Sequence, residues 1–256
     1  MPEPRWKGLA TGLVFLGVVT LGLVLCIALT IAVLALMPGQ MSLFEDSCAA
    51  AADMASEPAC RLSEAVFTGS FYLLVPAGLA AFGLLRGISP ADSLLLRSPG
   101  WTASQYVAFV ALVFAASQGI ELLLRLVSVL LGADLGGMNS DFAQPRQWLA
   151  ADPVPAALMA LLVVLLAPFT EEAVFRDFLF RPFLDTPLRA VLAGGILTLL
   201  WTLLHWSYAW QSLLAIGTLG LLFAYATWRT GSIWPAIAGH AANNLVAAVA
   251  PFLYQP

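Results

Sequence analysis

The sequence predicts an all-α fold in a membrane: a polytopic transmembrane helix bundle of about seven spans, with six to eight as the range. Three observations carry this. Of 256 residues, 61% are hydrophobic and 10% charged, against about 45–50% and about 25% in an average soluble domain. The apolar residues gather in long uncharged runs, as from Gly8 to Met37 and from Ala190 to Trp228, where a span needs roughly 20 residues of helix. Backbone N–H and C=O groups find no water in hydrocarbon, so helices or closed barrels must satisfy them, and runs of this length choose helices.

The elements follow in order. Gly8 to Met37 is the first span; it is too long for a signal-peptide core and has no small-residue cleavage site after it. Val66 to Leu85 is the second, Trp101 to about Leu131 the third and about Pro153 to Phe180 the fourth. Ala190 to Trp228 holds two spans broken near Ser207 to Ser212, and Ile233 to about Leu253 closes the bundle. With no fixed-period repeat and no low-complexity segment, residues 1–256 read as one integral membrane domain, its C-terminal part from 153 to 256 bearing the motifs below.

Lys and Arg favour cytoplasmic loops. Arg5, Lys7, Arg86, Arg97, Arg181, Arg189 and Arg229 all fall on one side of these spans, while Glu45, Asp46, Asp53, Glu57, Glu64, Asp134, Asp141 and Asp152 dominate the other. The N-terminus is therefore expected in the cytoplasm, and the membrane is expected to be the plasma (inner) membrane. Cys48 and Cys60 share the acidic first loop, where a disulfide or two free thiols fit equally. A net charge of −4 without a clustered basic face excludes nucleic acid as a partner.

Charges inside the spans carry the functional signal, since each costs about 2.5–3.5 kcal/mol on insertion scales. Glu121 and Arg125 stand four apart on one helical face and can neutralise each other, a structural pairing. The fourth span is different. Glu172 and Arg176 have the same spacing, but Glu171 lies about 100° round the helix and is left without a local partner. Pro168 lacks an amide hydrogen and frees the carbonyl of Val164, so a kink beside the acidic pair is expected. The chain's two histidines, His205 and His240, both lie in later apolar segments, and Asn244 follows His240 by one helical turn. Intramembrane ionisable groups of this kind mark sites.

Glu171-Glu172-x-x-x-Arg176, Trp201-x-x-x-His205 and His240-x-x-x-Asn244 together resemble the three ordered motifs of the CPBP (ABI) family. That family includes the type II CAAX prenyl endopeptidases and bacteriocin-processing relatives. The resemblance covers roughly the C-terminal third of the chain; many members have Phe at the place of Trp201. Peptide hydrolysis needs an activated water, a proton for the leaving amine and donors for the oxyanion. By the residues and by the resemblance alike, Glu171 would be the general base, His205 would orient or share its proton, and His240 and Asn244 would aim donors at the oxyanion. Glu172, Arg176 and Trp201 would support them from behind.

No cofactor is expected to be required. Glu171, His205 and His240 as ligands of zinc or another divalent metal are the mechanistic alternative, although a His-Glu-x-x-His motif is absent from the sequence. The expected partners are the lipid bilayer and a peptide or lipidated-protein substrate, a prenylated CAAX terminus or a leader peptide by the resemblance. Two other functional classes would use the same residues: a proton-coupled membrane transporter, and a non-catalytic scaffold or bacteriocin immunity protein.

Overall fold

A computed structural model describes residues 9–36, 58–132, 157–158 and 160–253. Its elements are α1 (Leu9–Leu36), α2 (Pro58–Leu85), the short α3 (Pro90–Ser93), α4 (Ala103–Leu131), a composite motif helix, α6 (Pro187–Leu203), α7 (Trp210–Thr230) and α8 (Trp234–Leu253). The motif helix joins a π-helical stretch, Leu162–Leu166, to α5 (Ala167–Glu172) and a second π-helical stretch, Ala173–Phe178. Among the described residues, four helices are long and apolar enough to cross a membrane, over Leu13–Val33, Ala65–Leu85, Ala103–Leu131 and Trp210–Thr230. The protein is an integral membrane helix bundle.

Helix ends are set by local chemistry. Thr102 caps α4 through a reciprocal bond pair, its Oγ1 accepting from Gln105 N while Gln105 Oε1 accepts from Thr102 N at 2.8 Å, satisfying two otherwise unpaired amides. Gly132 and Gly231 end α4 and α7 in the left-handed region, at φ 59° and 66°, where a Cβ is unfavourable. Thr186 caps α6, with Pro187 opening its first turn. The uncharged run from Ala190 to Trp228 breaks at residues 204–209, between α6 and α7, where the sequence places it.

Large apolar side chains such as Leu13, Leu122, Val129 and Leu199 are exposed on the bundle surface, as lipid contact requires. Inside are two apolar clusters. One includes Val75, Leu79, Phe178, Phe180, Ala193 and Ile233; the other gathers Phe109, Val113, Trp201, Leu219, Phe223 and Ala236. Phe175 packs against both, so the motif helix forms the seam between them. Close approach needs small residues: a Cβ on Gly78 of α2 would lie 2.8 Å from Val18 of α1, and one on Gly239 of α8 would lie 3.0 Å from Val113 of α4.

Among the described residues outside the motif helix, Asp92 with Arg97, Glu121 with Arg125 and Asp185 with Arg189 pair locally. Glu121 and Arg125 bond at 2.8 Å across one turn of α4, with Arg125 63% exposed, which is the structural pairing expected. Beyond the end of α2, Arg97 bonds to Asp92 and its guanidinium holds that carboxyl below the usual range. Cys26 is buried in α1. The pairing considered for Cys48 and Cys60 lies outside the described residues.

Candidate active site

The site is built on the motif helix, and its irregularity starts with Pro168. Ala167 N bonds to Leu162 O, five residues back. In that register the next amide would reach Val163 O, but residue 168 is proline and has none. Asn244 Nδ2 of α8 donates to Val163 O instead, at 2.9 Å. The sequence reading assumed an α-helical register and put the freed carbonyl at Val164; the wider turn shifts the gap to Val163. Asn244 therefore has one amide hydrogen committed to holding α8 against this turn. On the other face Thr170 Oγ1 donates to Tyr72 O at 2.6 Å, fixing the rotation of the motif helix against α2.

That rotation separates the tandem carboxylates. Glu172 is fully buried: Oε1 lies 2.9 Å from His240 Nδ1, and Oε2 lies 3.3 Å from Arg176 Nε. Glu171 is 19% exposed, and its Oε2 accepts from Trp201 Nε1 at 2.6 Å and lies 4.0 Å from His240 Nε2. No bond to a neighbour on its own helix is seen for Glu171. Its partner comes from another helix, and only tertiary structure brings the indole to it.

Arg176 is buried under an aromatic wall. Its Cζ lies 4.3 Å from the Trp201 ring centroid, 5.7 Å from Phe223 and 5.9 Å from Phe175. A desolvated cation over aromatic faces gains about 2 kcal/mol or more, which offsets part of its burial cost. Its Nη2 reaches Gly220 O at 3.5 Å. A Cβ on Gly220 would lie 2.7 Å from Thr198 Cγ2, 2.9 Å from Arg176 Nη2 and 3.1 Å from Trp201 Cε3. Gly220→Ala is therefore expected to destabilise the protein by about 1–3 kcal/mol, the usual cost of overpacking. A melting temperature in detergent equal to wild type would contradict this.

The histidines are oriented through their Nδ1 atoms. His205 Nδ1 lies 2.9 Å from Trp201 O, so Nδ1 carries the proton and Nε2 is the atom left for chemistry. His240 Nδ1 faces Glu172, and its ring stacks on Phe223 at 5.5 Å and 19°. The Trp201 ring stands roughly perpendicular to both, with centroids 5.2 Å from His205 and 5.4 Å from His240. His205 lies just past the end of α6. This short helix reaches only about 25 Å at 1.5 Å per residue, less than the about 30 Å hydrocarbon core.

The structure thus joins Glu171, Glu172, Arg176, Trp201, His205 and His240 in one network, and places Asn244 one turn from His240 on the Val163 carbonyl. Sequence reasoning missed Phe223, the platform under His240, and Gly220; neither has a signal in a single sequence. It also passed over Asp177 and Arg181, which pair at 2.7 Å with Asp177 fully buried, while Arg181 Nη2 donates to Asp92 O at 2.6 Å. Their spacing of four was the signal.

The residues considered as metal ligands do not form a ligand set in this arrangement. Among the described residues, no group of three or more His, Cys, Asp and Glu side chains is placed to hold a metal ion.

Fold and site together define a helical membrane protein with tandem carboxylates and histidines gathered inside the bundle. Residues 153–246 match the family of Rce1-like type II CAAX prenyl endopeptidases, and every residue of the three motifs lies in that stretch. The stretch that bears the three motifs is thus similar to the domain of that family. No curated protein and no solved structure matches the chain.

Proposed function

We propose that the chain is an intramembrane endopeptidase that hydrolyses a peptide bond in a membrane-associated substrate, with Glu171 as the base that activates water. The observation that carries this reading is the division between the two neighbouring carboxylates. Glu172 spends both oxygens on His240 and Arg176 in full burial, whereas Glu171 stays 19% exposed with its bond from Trp201 on Oε2 alone. A water beside Oε1 would give its proton to Glu171 and attack the scissile carbonyl. His205, its Nδ1 bonded to Trp201 O, would share that proton through Nε2 on its way to the leaving amine.

His240 in its protonated form donates from both nitrogens. Glu172 takes Nδ1–H, and Nε2–H, 4.0 Å from Glu171, is available to the oxyanion. Asn244 adds its second amide hydrogen, the first being held by Val163 O. Asn244→Ala is expected to lower cleavage about 10²–10³-fold, the loss typical of one oxyanion donor. Activity at the wild-type level would remove it from the site. The supporting residues are Glu172, Arg176 and Trp201.

The substrate class we propose is a peptide presented at the bilayer, either a prenylated CAAX terminus or a leader peptide, and the reaction requires no metal. We propose a cytoplasmic N-terminus and a plasma-membrane location; the Lys and Arg asymmetry supports the orientation. The test is a purified sample in proteoliposomes given a library of membrane-anchored peptides, with and without a zinc chelator. Cleavage that survives the chelator supports the reading. Loss with chelator and recovery with zinc would replace it with the metal mechanism, and proton flux without cleavage would replace it with a carrier.

A further inference from the structure

The Trp201 side chain meets four of the five ionisable groups gathered at the site, Glu171, Arg176, His205 and His240. It is 2% exposed; its N–H bonds Glu171 at 2.6 Å, Arg176 lies over its face at 4.3 Å, and the His205 and His240 rings stand roughly perpendicular to it with centroids 5.2 and 5.4 Å away. The charges match the ring: the cation lies over the electron-rich face and the carboxylate at the N–H edge. Its own carbonyl also holds His205 Nδ1 at 2.9 Å. One residue therefore sets the geometry of two proposed proton-handling groups, by side chain and by backbone.

An indole nitrogen donates and never accepts, so the bond commits Glu171 Oε2 and cannot reverse. A phenyl ring would keep the face over Arg176 and the contacts with the histidines but supply no donor. The donor is thus separable from the packing.

We infer that Trp201 is the positioning residue for Glu171: its N–H fixes the carboxylate by Oε2 and presents Oε1 as the atom that takes the proton of water. This rests on Glu171 being the base. Trp201→Phe in the full-length protein is expected to lower kcat by roughly ten- to a hundredfold, the range for a lost hydrogen bond to a charged group, with KM unchanged. Benzothienylalanine at position 201 keeps the bicyclic shape without a donor and is expected to show the same loss; it is the variant to use should the phenyl variant fold poorly. Independently of turnover, the indole N–H resonance missing from Trp201→Phe is expected downfield among the eight tryptophans, and to move upfield in Glu171→Ala. Wild-type kcat in the benzothienyl variant, or an indole resonance indifferent to Glu171→Ala, overturns the inference. If wild type shows no Glu171-dependent cleavage, the proteolytic reading fails, and the resonance alone decides whether Trp201 positions Glu171.

Discussion

Glu171→Gln is expected to lower peptide cleavage by about 10²–10⁴-fold, the contribution of a positioned general base, while expression, membrane insertion and melting temperature stay near wild type. Gln has the shape of Glu and its side-chain oxygen still accepts the Trp201 N–H bonded at 2.6 Å in the wild type, so packing at the seam is retained. What is lost is the ability to take a proton from water. The adjacent position serves as control: Glu172→Gln weakens the contacts to His240 and Arg176 at 2.9 and 3.3 Å, so it is expected to reduce stability as well as activity. Initial rates and thermal melts of both variants on one preparation check this. Equal loss of stability in the two would contradict the division of roles between the carboxylates.

Arg176→Ala is expected to destabilise the protein by about 3–5 kcal/mol, the cost of leaving one member of a buried pair without the other. Glu172 is fully buried, and the guanidinium that faces it also fills the space under Trp201 and Phe223. Truncation therefore strips a charge partner and an aromatic contact together. Arg176→Lys is expected to recover little, because an ammonium is a compact point charge without the planar face that lies on the indole. The measurement is the yield of folded protein in detergent and its melting temperature. A variant that melts with wild type would show that Arg176 is not holding the motif helix in place.

Much of this was legible in the sequence because lipid makes charge expensive. The uncharged runs located the helices, and the break between α6 and α7 fell where the polar residues near Ser207 predicted it. Boundaries were less legible at α2, which starts at Pro58 rather than near Val66. Its first turns carry Arg61, Ser63 and Glu64, and an apolar-run criterion discards such turns although the backbone continues helical. Glu171, Glu172, Arg176, His205, His240 and Asn244 stood out as polar groups in costly places, and spacing alone gave the Glu172–Arg176 pair.

What spacing could not supply is the rotation of one helix against another. The donation from Trp201 to Glu171, the stacking of Phe223 on His240 and the clearance at Gly220 all depend on it. Pro168 announced an irregular helix, but the π-helical register that moves its gap to Val163 has no compositional signature. Asn244, read as an oxyanion donor, is for that reason also the clasp of that turn.

The central claim is that Glu171 acts on water and does not itself attack the peptide. Mass spectrometry after a single turnover in ¹⁸O-water tests it most directly, with enzyme in proteoliposomes and a membrane-anchored peptide as substrate. The account predicts two fragments, one ¹⁸O in the new carboxyl terminus and no label in the enzyme peptide that contains Glu171. Label in the Glu171 carboxyl with an unlabelled product, or no fragments from wild-type protein, would contradict it.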